Sequence, residues 1–354
     1  MENFTECLTL AEENQRIIDV PESTPEADDK LYEELQLKYN NENFKTILKS
    51  RMELPVWSHK ETILKAVESN QVVIICGETG CGKTTQIGQF LLDQAIELRK
   101  GSLFHAVCTQ PRRLATISLA HRIAEERIER CGELDSSIGY QIRLERRYPR
   151  RRGSILFCTA GILMQLLLSD PCLESFSHIL LDEVHERDVV TDFLLAVVRE
   201  ILVKRPKLRV ILMSATVNTE IFSSYFNNCP VLHISGKTFP IETLYLEDVL
   251  YQLDFRVRSK RLASTSNETG CEKKDLDVEY AQLMEPYIEE MQASHSYPLH
   301  VFKSLRRRES EEAPDLLILT LLKKICTREA DGAVLIFLPG MQCTNFVCSS
   351  NVTV

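Results

Sequence analysis

Three absences narrow the reading of this 354-residue chain before any motif is considered. No uninterrupted apolar run approaches the length needed to cross a bilayer; the densest patch, Gly161–Leu168, is far too short. The first residues, MENFTECLTLAEEN, lack a basic stretch followed by an apolar core, so no secretory signal is visible and an intracellular protein is expected. Twelve cysteines are present, yet no two stand as C-x-x-C, and Cys343 and Cys348 have no His or Cys partner at metal spacing. Cys76, Cys108 and Cys158 lie inside apolar strand-like runs and read as buried free thiols. Disulfide scaffolds, structural zinc and membrane spans are thereby set aside.

Positive charge is also scarce overall, with a net charge of −9, but the imbalance is local. Residues 1–42 carry twelve acids and three bases, which accounts for all of it. The remainder is balanced, and Arg143–Arg152 (RLERRYPRRR) gathers six arginines against one glutamate. That run is either a solvated charged surface or an anion-binding one.

What is present begins at Gly77-Glu-Thr-Gly-Cys-Gly-Lys-Thr84, placed between an apolar run and a helix-like stretch. Strand, glycine-rich loop and helix N-terminus together form a concave site for phosphate: backbone N–H groups converge and the helix dipole favours an anion. Lys83 adds a point charge for the β and γ phosphates, and Thr84 a hydroxyl for Mg²⁺. Such loops serve kinases, transporters, GTPases and motor ATPases alike. A second piece narrows the chemistry: Ile179-Leu-Leu-Asp182-Glu183 is an apolar strand ending in two acids. Asp182 suits the outer Mg²⁺ shell, and Glu183 can orient and deprotonate a water for attack on a γ-phosphate. Ser214-Ala-Thr216 closes another strand at the edge where parallel sheets bind ligands, and Thr109-Gln-Pro-Arg-Arg113 ends a further one with two guanidinium forks suited to a phosphodiester backbone.

Six short apolar runs (72–76, 104–109, 155–158, 179–181, 210–213 and 231–234) alternate with helical stretches (84–98, 113–129, 160–168, 191–202 and 219–226). Continuous apolar strands between helices predict a parallel sheet buried on both faces, hence one doubly wound α/β domain over about 51–240. Residues 1–50 read as an acidic segment, partly disordered and partly helical (31–49); 241–312 as a linker or insertion; and 313–354 as the first helix and strand (332–338) of a second α/β domain.

Read in order, GETGCGKTTQ (77–86), TQPRR (109–113), TAGIL (159–163), DEVH (182–185), SAT (214–216) and FLPG (337–340) resemble the DEAH/RHA superfamily-2 helicases over roughly residues 50–340. GYQIRLE (139–145), DEVHERD and LMSAT are similar to the quadruplex-resolving branch of that family. The resemblance implies RecA-like domains, ATP and Mg²⁺ as ligands, RNA (or DNA, or a G-quadruplex) as partner, no membrane, no oligomer, and residence in cytoplasm or nucleus. It implies that Gly77, Glu78, Thr79, Gly80, Cys81, Gly82, Lys83, Thr84 and Thr85 hold the triphosphate. Thr84, Asp182 and Glu183 would stand at the metal, with Glu183 as catalytic base. His185 would couple the nucleotide to Ser214 and Thr216, which relay its state. Arg122 matches an arginine that stacks on the base, though its residues alone allow a surface helix charge. Arg112, Arg113, Thr159 and Arg143 match positions on the nucleic-acid backbone. After FLPG the sequence departs from the family, so a C-terminally truncated helicase with near-background turnover is expected; the alternative is a short non-catalytic isoform that binds nucleotide and RNA.

Overall fold

The computed structural model describes residues 24–215, 219–236, 240–257, 270–294, 297–307, 315–328 and 332–338. Two compact units divide the chain, residues 1–238 and 239–354.

The first unit is built on an eight-stranded sheet. Its strands are β1 (Val72–Gly77), β2 (His105–Gln110), β3 (Ile138–Ile142), β4 (Glu145–Arg147), β5 (Ser154–Thr159), β6 (His178–Leu181), β7 (Arg209–Ser214) and β8 (Val231–Ile234), in the order β4-β3-β5-β2-β6-β7-β1-β8. All neighbours are parallel except β3 and β4, which pair as an antiparallel hairpin. Side-chain alternation explains why the strands read as continuous apolar runs. Val73, Ile75, Ala106, Cys108, Ile155, Phe157, Ile211 and Met213 fill a core on one face, while Val72, Ile74, Val107, Leu156, Cys158, Val210 and Leu212 fill a separate core on the other. A strand covered on both faces has no polar side to show.

Helices α4 (Lys83–Glu97) and α5 (Arg113–Glu126) cover the first face, and α6 (Ala160–Ser169), α7 (Val189–Lys204) and α8 (Glu220–Tyr225) the second. Ahead of them, α1 (Pro25–Asn40) and α2 (Glu42–Met52) are separated by Asn41, whose side chain accepts from the N–H of Asn43 and Phe44 and so caps α2. These helices, and α3 (Lys60–Ser69), pack on the first face: Leu31, Leu35 and Ile63 belong to the same core as Phe90. Polar ties add to this packing, with Ser102 N–H donating to Asp28 Oδ1 at 2.7 Å and Lys38 pairing with Glu129. The N-terminal segment is thus an integral part of the unit from residue 24 onward.

The hairpin β3–β4 was not predicted. Ile138-Gly-Tyr-Gln-Ile142 interrupts its apolar residues with Gly and Gln, and Glu145-Arg-Arg147 is wholly charged. Charge on an outermost strand is how sheets discourage edge-to-edge pairing, and it conceals the strand from hydropathy.

In the second unit, α9 (Leu246–Gln252), α10 (Gly270–Ala293), α11 (Leu299–Leu305) and α12 (Asp315–Arg328) share a small core of Leu250, Val257, Ile288, Val301, Phe302, Leu305 and Leu317. The stretch read as a linker or insertion therefore buries apolar residues of its own; they are spread over short helices, which leaves little periodic signal. The run 332–338, read as a buried strand, joins no ladder among the described residues, and Leu335 and Phe337 are exposed. A strand without a neighbouring edge has nothing to satisfy its N–H and C=O groups, so the apolar composition alone does not form one. Among the described residues no helix is long and apolar enough to cross a membrane.

Histidine burial makes stability pH-dependent, most directly at His105. His105 Nδ1 lies 3.0 Å from the Ser175 carbonyl oxygen, and burial pushes its pKa from 6.5 down to about 4, the carbonyl opposing. The folded chain holds this imidazole neutral while the unfolded chain takes up a proton below pH 6.5. Stability is therefore complete above that pH and falls, by about 1.4 kcal/mol per pH unit, as pH drops toward 4. Urea midpoints measured at pH 7.5, 6 and 5 should decline accordingly, and His105→Phe should lessen the decline, with a remainder due to His178, whose pKa burial and the Arg209 charge also lower to about 4; pH-independent midpoints would contradict the assignment.

Candidate active site

Parallel pairing brings the carboxyl ends of β1, β2, β6 and β7 to one edge of the sheet, the edge at which α/β sheets bind ligands. The glycine loop follows β1 there. Gly80 and Gly82 adopt φ of 82° and 95°, left-handed values that side-chain-bearing residues resist, and this turns the chain into α4 with its first N–H groups facing out. A Cβ on Gly82 would also stand 2.9 Å from Val56 Cγ1. Val56 N–H in turn donates to Cys81 O at 3.0 Å, so the segment before α3 braces the loop from below. Lys83 is buried, its ammonium donating to the carbonyls of Gly77 and, at 3.0 Å, of Glu78. The cradle opens on a cavity of about 320 Å³ lined by Thr79, Lys83, Thr84, Arg122, Glu126 and Glu183, among others.

Next to Lys83, Thr84 Oγ1 donates to Asp182 Oδ2 at 2.5 Å, and Gln110 Nε2 donates to the same oxygen at 2.5 Å. Asp182 Oδ1 accepts from the backbone N–H of Glu183 at 2.9 Å. Burial pushes the Asp182 carboxyl above the usual carboxylate range, while these bonds and the Lys83 charge pull the other way. Glu183 has φ of 55°, and Arg187 after the turn Val184–Glu186 has 52°; left-handed backbone at two non-glycine residues marks a strained corner. The Glu183 carboxyl is raised first by burial and then by the negative charge of Asp182. A raised carboxyl is a stronger base once ionised, which suits proton abstraction near neutral pH.

His185 sits between strands. Ala215 N–H donates to His185 Nδ1 at 3.2 Å, which places the ring proton of the neutral imidazole on Nε2. Glu183 Oε2 lies 3.4 Å from the same Nδ1. The acids after β6 and the end of β7 are thereby connected through one ring. Ser214 is buried at that end, beside Cys76 in the register of β1; Thr216 lies outside the described residues.

The residues expected at a nucleic-acid backbone occupy one stretch of the same edge. Arg112 and Arg113 follow β2 and are exposed, Thr159 ends β5 in register with Gln110, and exposed Arg143 opens the β3–β4 turn. Strands β2, β5 and β3 are adjacent, about 4.8 Å apart, so these side chains form a row. The arginine run beyond it does not act as one surface. Arg150 turns inward, donating to Glu34 Oε2 at 2.7 Å and to Gly153 O at 3.1 Å, and serves to hold α1.

The donor set fits a phosphate ligand with Mg²⁺. Among the described residues no cluster of three or more His, Cys, Asp or Glu side chains forms a ready-made metal cage. A hydroxyl beside one carboxylate is instead what Mg²⁺ uses, since it keeps several waters and takes other oxygens from substrate phosphates. Sequence reasoning missed Gln110, although it sits within TQPRR; β2 pairs with β6 so that Thr109 faces Leu181, which carries Gln110 alongside Asp182. It also missed Leu54, Gln86 and Glu126, whose side chains join the site from separate helices and turns.

Residues 57–223 match the family described as DEAD/DEAH box helicase. The chain is similar to the human ATP-dependent DNA/RNA helicase DHX36, 44% identical over 320 residues, covering 88% of this chain and 31% of that protein. The bovine protein of the same name is 42% identical, with 90% and 32% covered. The DExH-box ATP-dependent RNA helicase DExH1 of Arabidopsis thaliana is 41% identical, with 84% and 30% covered. The chain thus spans about a third of the length of these relatives.

Proposed function

Since the chain belongs to the DEAD/DEAH box helicase family, in its DEAH/RHA branch, we propose that residues 1–238 bind Mg·ATP at the glycine loop and a nucleic-acid backbone along the β2–β5–β3 edge, and that the whole protein hydrolyses ATP to unwind RNA duplexes or quadruplexes. The observation that carries this reading is the Thr84–Asp182–Gln110 cluster set between the phosphate cradle and Glu183.

Backbone N–H groups of residues 80–85 and the Lys83 ammonium hold the phosphates. Bound Mg²⁺ supplies charge neutralisation at the phosphate oxygens. Thr84 and Gln110 fix the Asp182 carboxylate so that it points at that position, and Glu183 orients a water and accepts its proton at a carboxylate oxygen. His185 and Ser214 carry the state of the site to the end of β7. Residues 313–354 are read as the beginning of a second RecA-like domain, and the compartment as cytoplasm or nucleus.

The row Arg112, Arg113, Thr159 and Arg143 meets phosphodiesters without reading bases, so binding should be sequence-tolerant and salt-sensitive. With three arginines engaged, log K for single-stranded RNA should fall against log salt with a slope of about −2. Arg112→Ala/Arg113→Ala should shallow that slope by about 1.4 and leave Mg·ATP affinity in place. Filter binding between 50 and 200 mM salt tests this; an unchanged slope in the double variant would remove these arginines from the interface.

A further inference from the structure

A buried polar cluster lies behind the phosphate loop and takes no part in the hydrolytic roles above. Glu126, the last residue of α5, is 5% exposed. Its Oε1 accepts from Arg122 Nε at 3.0 Å, and its Oε2 accepts from Gln86 Nε2 and from Gln89 Nε2, both at 2.9 Å. Arg51, from α2, places Nε 3.7 Å from that Oε2 and donates to Gln86 Oε1 at 2.7 Å. Gln86 Nε2 also reaches Thr85 Oγ1 at 3.0 Å, at the phosphate end of the site.

The cavities give this cluster a direction. The cradle cavity and a neighbouring one of about 250 Å³ share Leu54, Arg122 and Glu126, and the second continues past Arg122 between Ile47 and Glu125. With phosphates at residues 80–85, the rest of a nucleotide extends toward Arg122 and Leu54. A guanidinium plane there is a stacking surface for a base. The Arg122 side chain is 66% exposed, and such a side chain would ordinarily sample many rotamers; its 3.0 Å bond to the buried Glu126 carboxylate favours the one that lies along the cavity. Stability alone does not account for the cluster. Arg51 is 2% exposed, and its two terminal nitrogens have no hydrogen-bond partner among the described residues, which is an unfavourable way to bury a cation.

We propose that Glu126 is a positioning residue for nucleobase recognition: held by Arg51, Gln86 and Gln89, it fixes the guanidinium of Arg122 as the wall on which the base of a nucleoside triphosphate stacks. This rests on the reading of the cradle as a nucleotide site, and the probes separate the two. Mg·ATP carries a base; Mg·tripolyphosphate carries none. Both are titrated against the 354-residue chain by calorimetry. In Glu126→Gln the ratio of ATP to tripolyphosphate affinity should fall about 3- to 30-fold, the range of a lost cation–π contact, while tripolyphosphate binding holds because Gln86 keeps Arg51 and Thr85. Glu126→Asp retains the charge opposite Arg51, so folding is preserved, but is one methylene too short for Arg122; it should show the same loss of ratio. Arg122→Ala should match both, and combining it with Glu126→Asp should add nothing further. An unchanged ratio in Glu126→Asp, or additive losses, overturns the proposal while Lys83-dependent tripolyphosphate binding keeps the site reading intact. A wild-type chain that binds neither probe overturns the site reading and the proposal with it.

Discussion

Lys83→Ala should abolish measurable binding of Mg·ATP, whereas Glu183→Gln should bind it as the unaltered chain does. The contrast follows from where each side chain sits. The Lys83 ammonium is buried at the base of the cradle and bonded to the carbonyl oxygens of Gly77 and Glu78, a cation placed among the loop's own atoms. Charge-assisted hydrogen bonds contribute about 1.5–3 kcal/mol each, so losing two to a triphosphate weakens binding by at least about 100-fold. Glu183 lies beyond the cradle, partly exposed on a left-handed corner. Its amide analogue preserves shape and the contact distance to His185 but accepts no proton, so whatever hydrolysis the unaltered chain supports should drop by about 10²–10⁴. That hydrolysis should also rise with pH through a value above the ordinary 4.5 of a glutamate, because burial and Asp182 both hold the Glu183 carboxyl up. Fluorescent-nucleotide titration with a melting control reports binding, and phosphate release reports chemistry. Equal loss of nucleotide in both variants would dissolve the division of labour between Lys83 and Glu183.

What the residues disclosed in advance follows the locality of the physics. The cradle was legible because strand, loop and helix are contiguous, and each of Gly80, Gly82 and Lys83 answers to its immediate neighbours. The core strands were legible because burial on both faces leaves them mostly apolar, with polar exceptions such as His105 and Thr109 too few to break the runs, and edge strand β8 was legible from Val231, Leu232 and Ile234. Gln110, Arg51 and Glu126 were not legible as site residues. Gln110 and Asp182 lie 72 positions apart and meet only through the register of β2 with β6, while Arg51, Gln86 and Glu126 converge from α2, α4 and α5. A polar side chain inside an amphipathic helix reads as solvated until the packing of that helix is known. The arginine run 143–152 shows the converse: identical residues in one short segment divide between an exposed turn at Arg143 and an inward latch at Arg150, because β3 and β4 reverse the chain between them.

The largest loss of stability is expected at Arg127, the bulkiest fully buried side chain among the described residues. Its Nη1 donates to Asp93 Oδ1 at 2.7 Å, its Nε donates to Ser137 Oγ at 3.0 Å, and Glu129 Oε1 lies 3.5 Å from Nε. Burial lowers the Arg127 pKa, but Asp93 and Glu129 outweigh it and hold the guanidinium charged. The same pairing brings Glu129 to about 2 against its burial, with Arg127 first among the groups responsible and Lys38 and Ser137 after it. Removing the cation leaves two acids under the sheet, and breaking a buried pair from one side costs about 3–5 kcal/mol. Set against a total stability of about 5–15 kcal/mol, Arg127→Met should leave the first unit marginal in urea unfolding. Asp93→Leu added to Arg127→Met should recover most of that loss, since Glu129 retains Lys38, Ser136 and Ser137 while the orphaned Asp93 is gone. The deficit of Arg127→Met should also narrow as pH falls from 4.5 toward about 2: the wild-type advantage from Glu129 is present above the unfolded value and lost through the folded one. A single variant as stable as wild type, or a double variant less stable than the single, would show that packing rather than charge governs the site. Arg127 directly follows α5, next to Glu126 and little more than one turn beyond Arg122, and faces α4 through Asp93. The ion pair therefore sets the spacing of the two helices that carry the phosphate cradle and the arginine wall, so nucleotide affinity in Arg127→Met should weaken before the fold is lost.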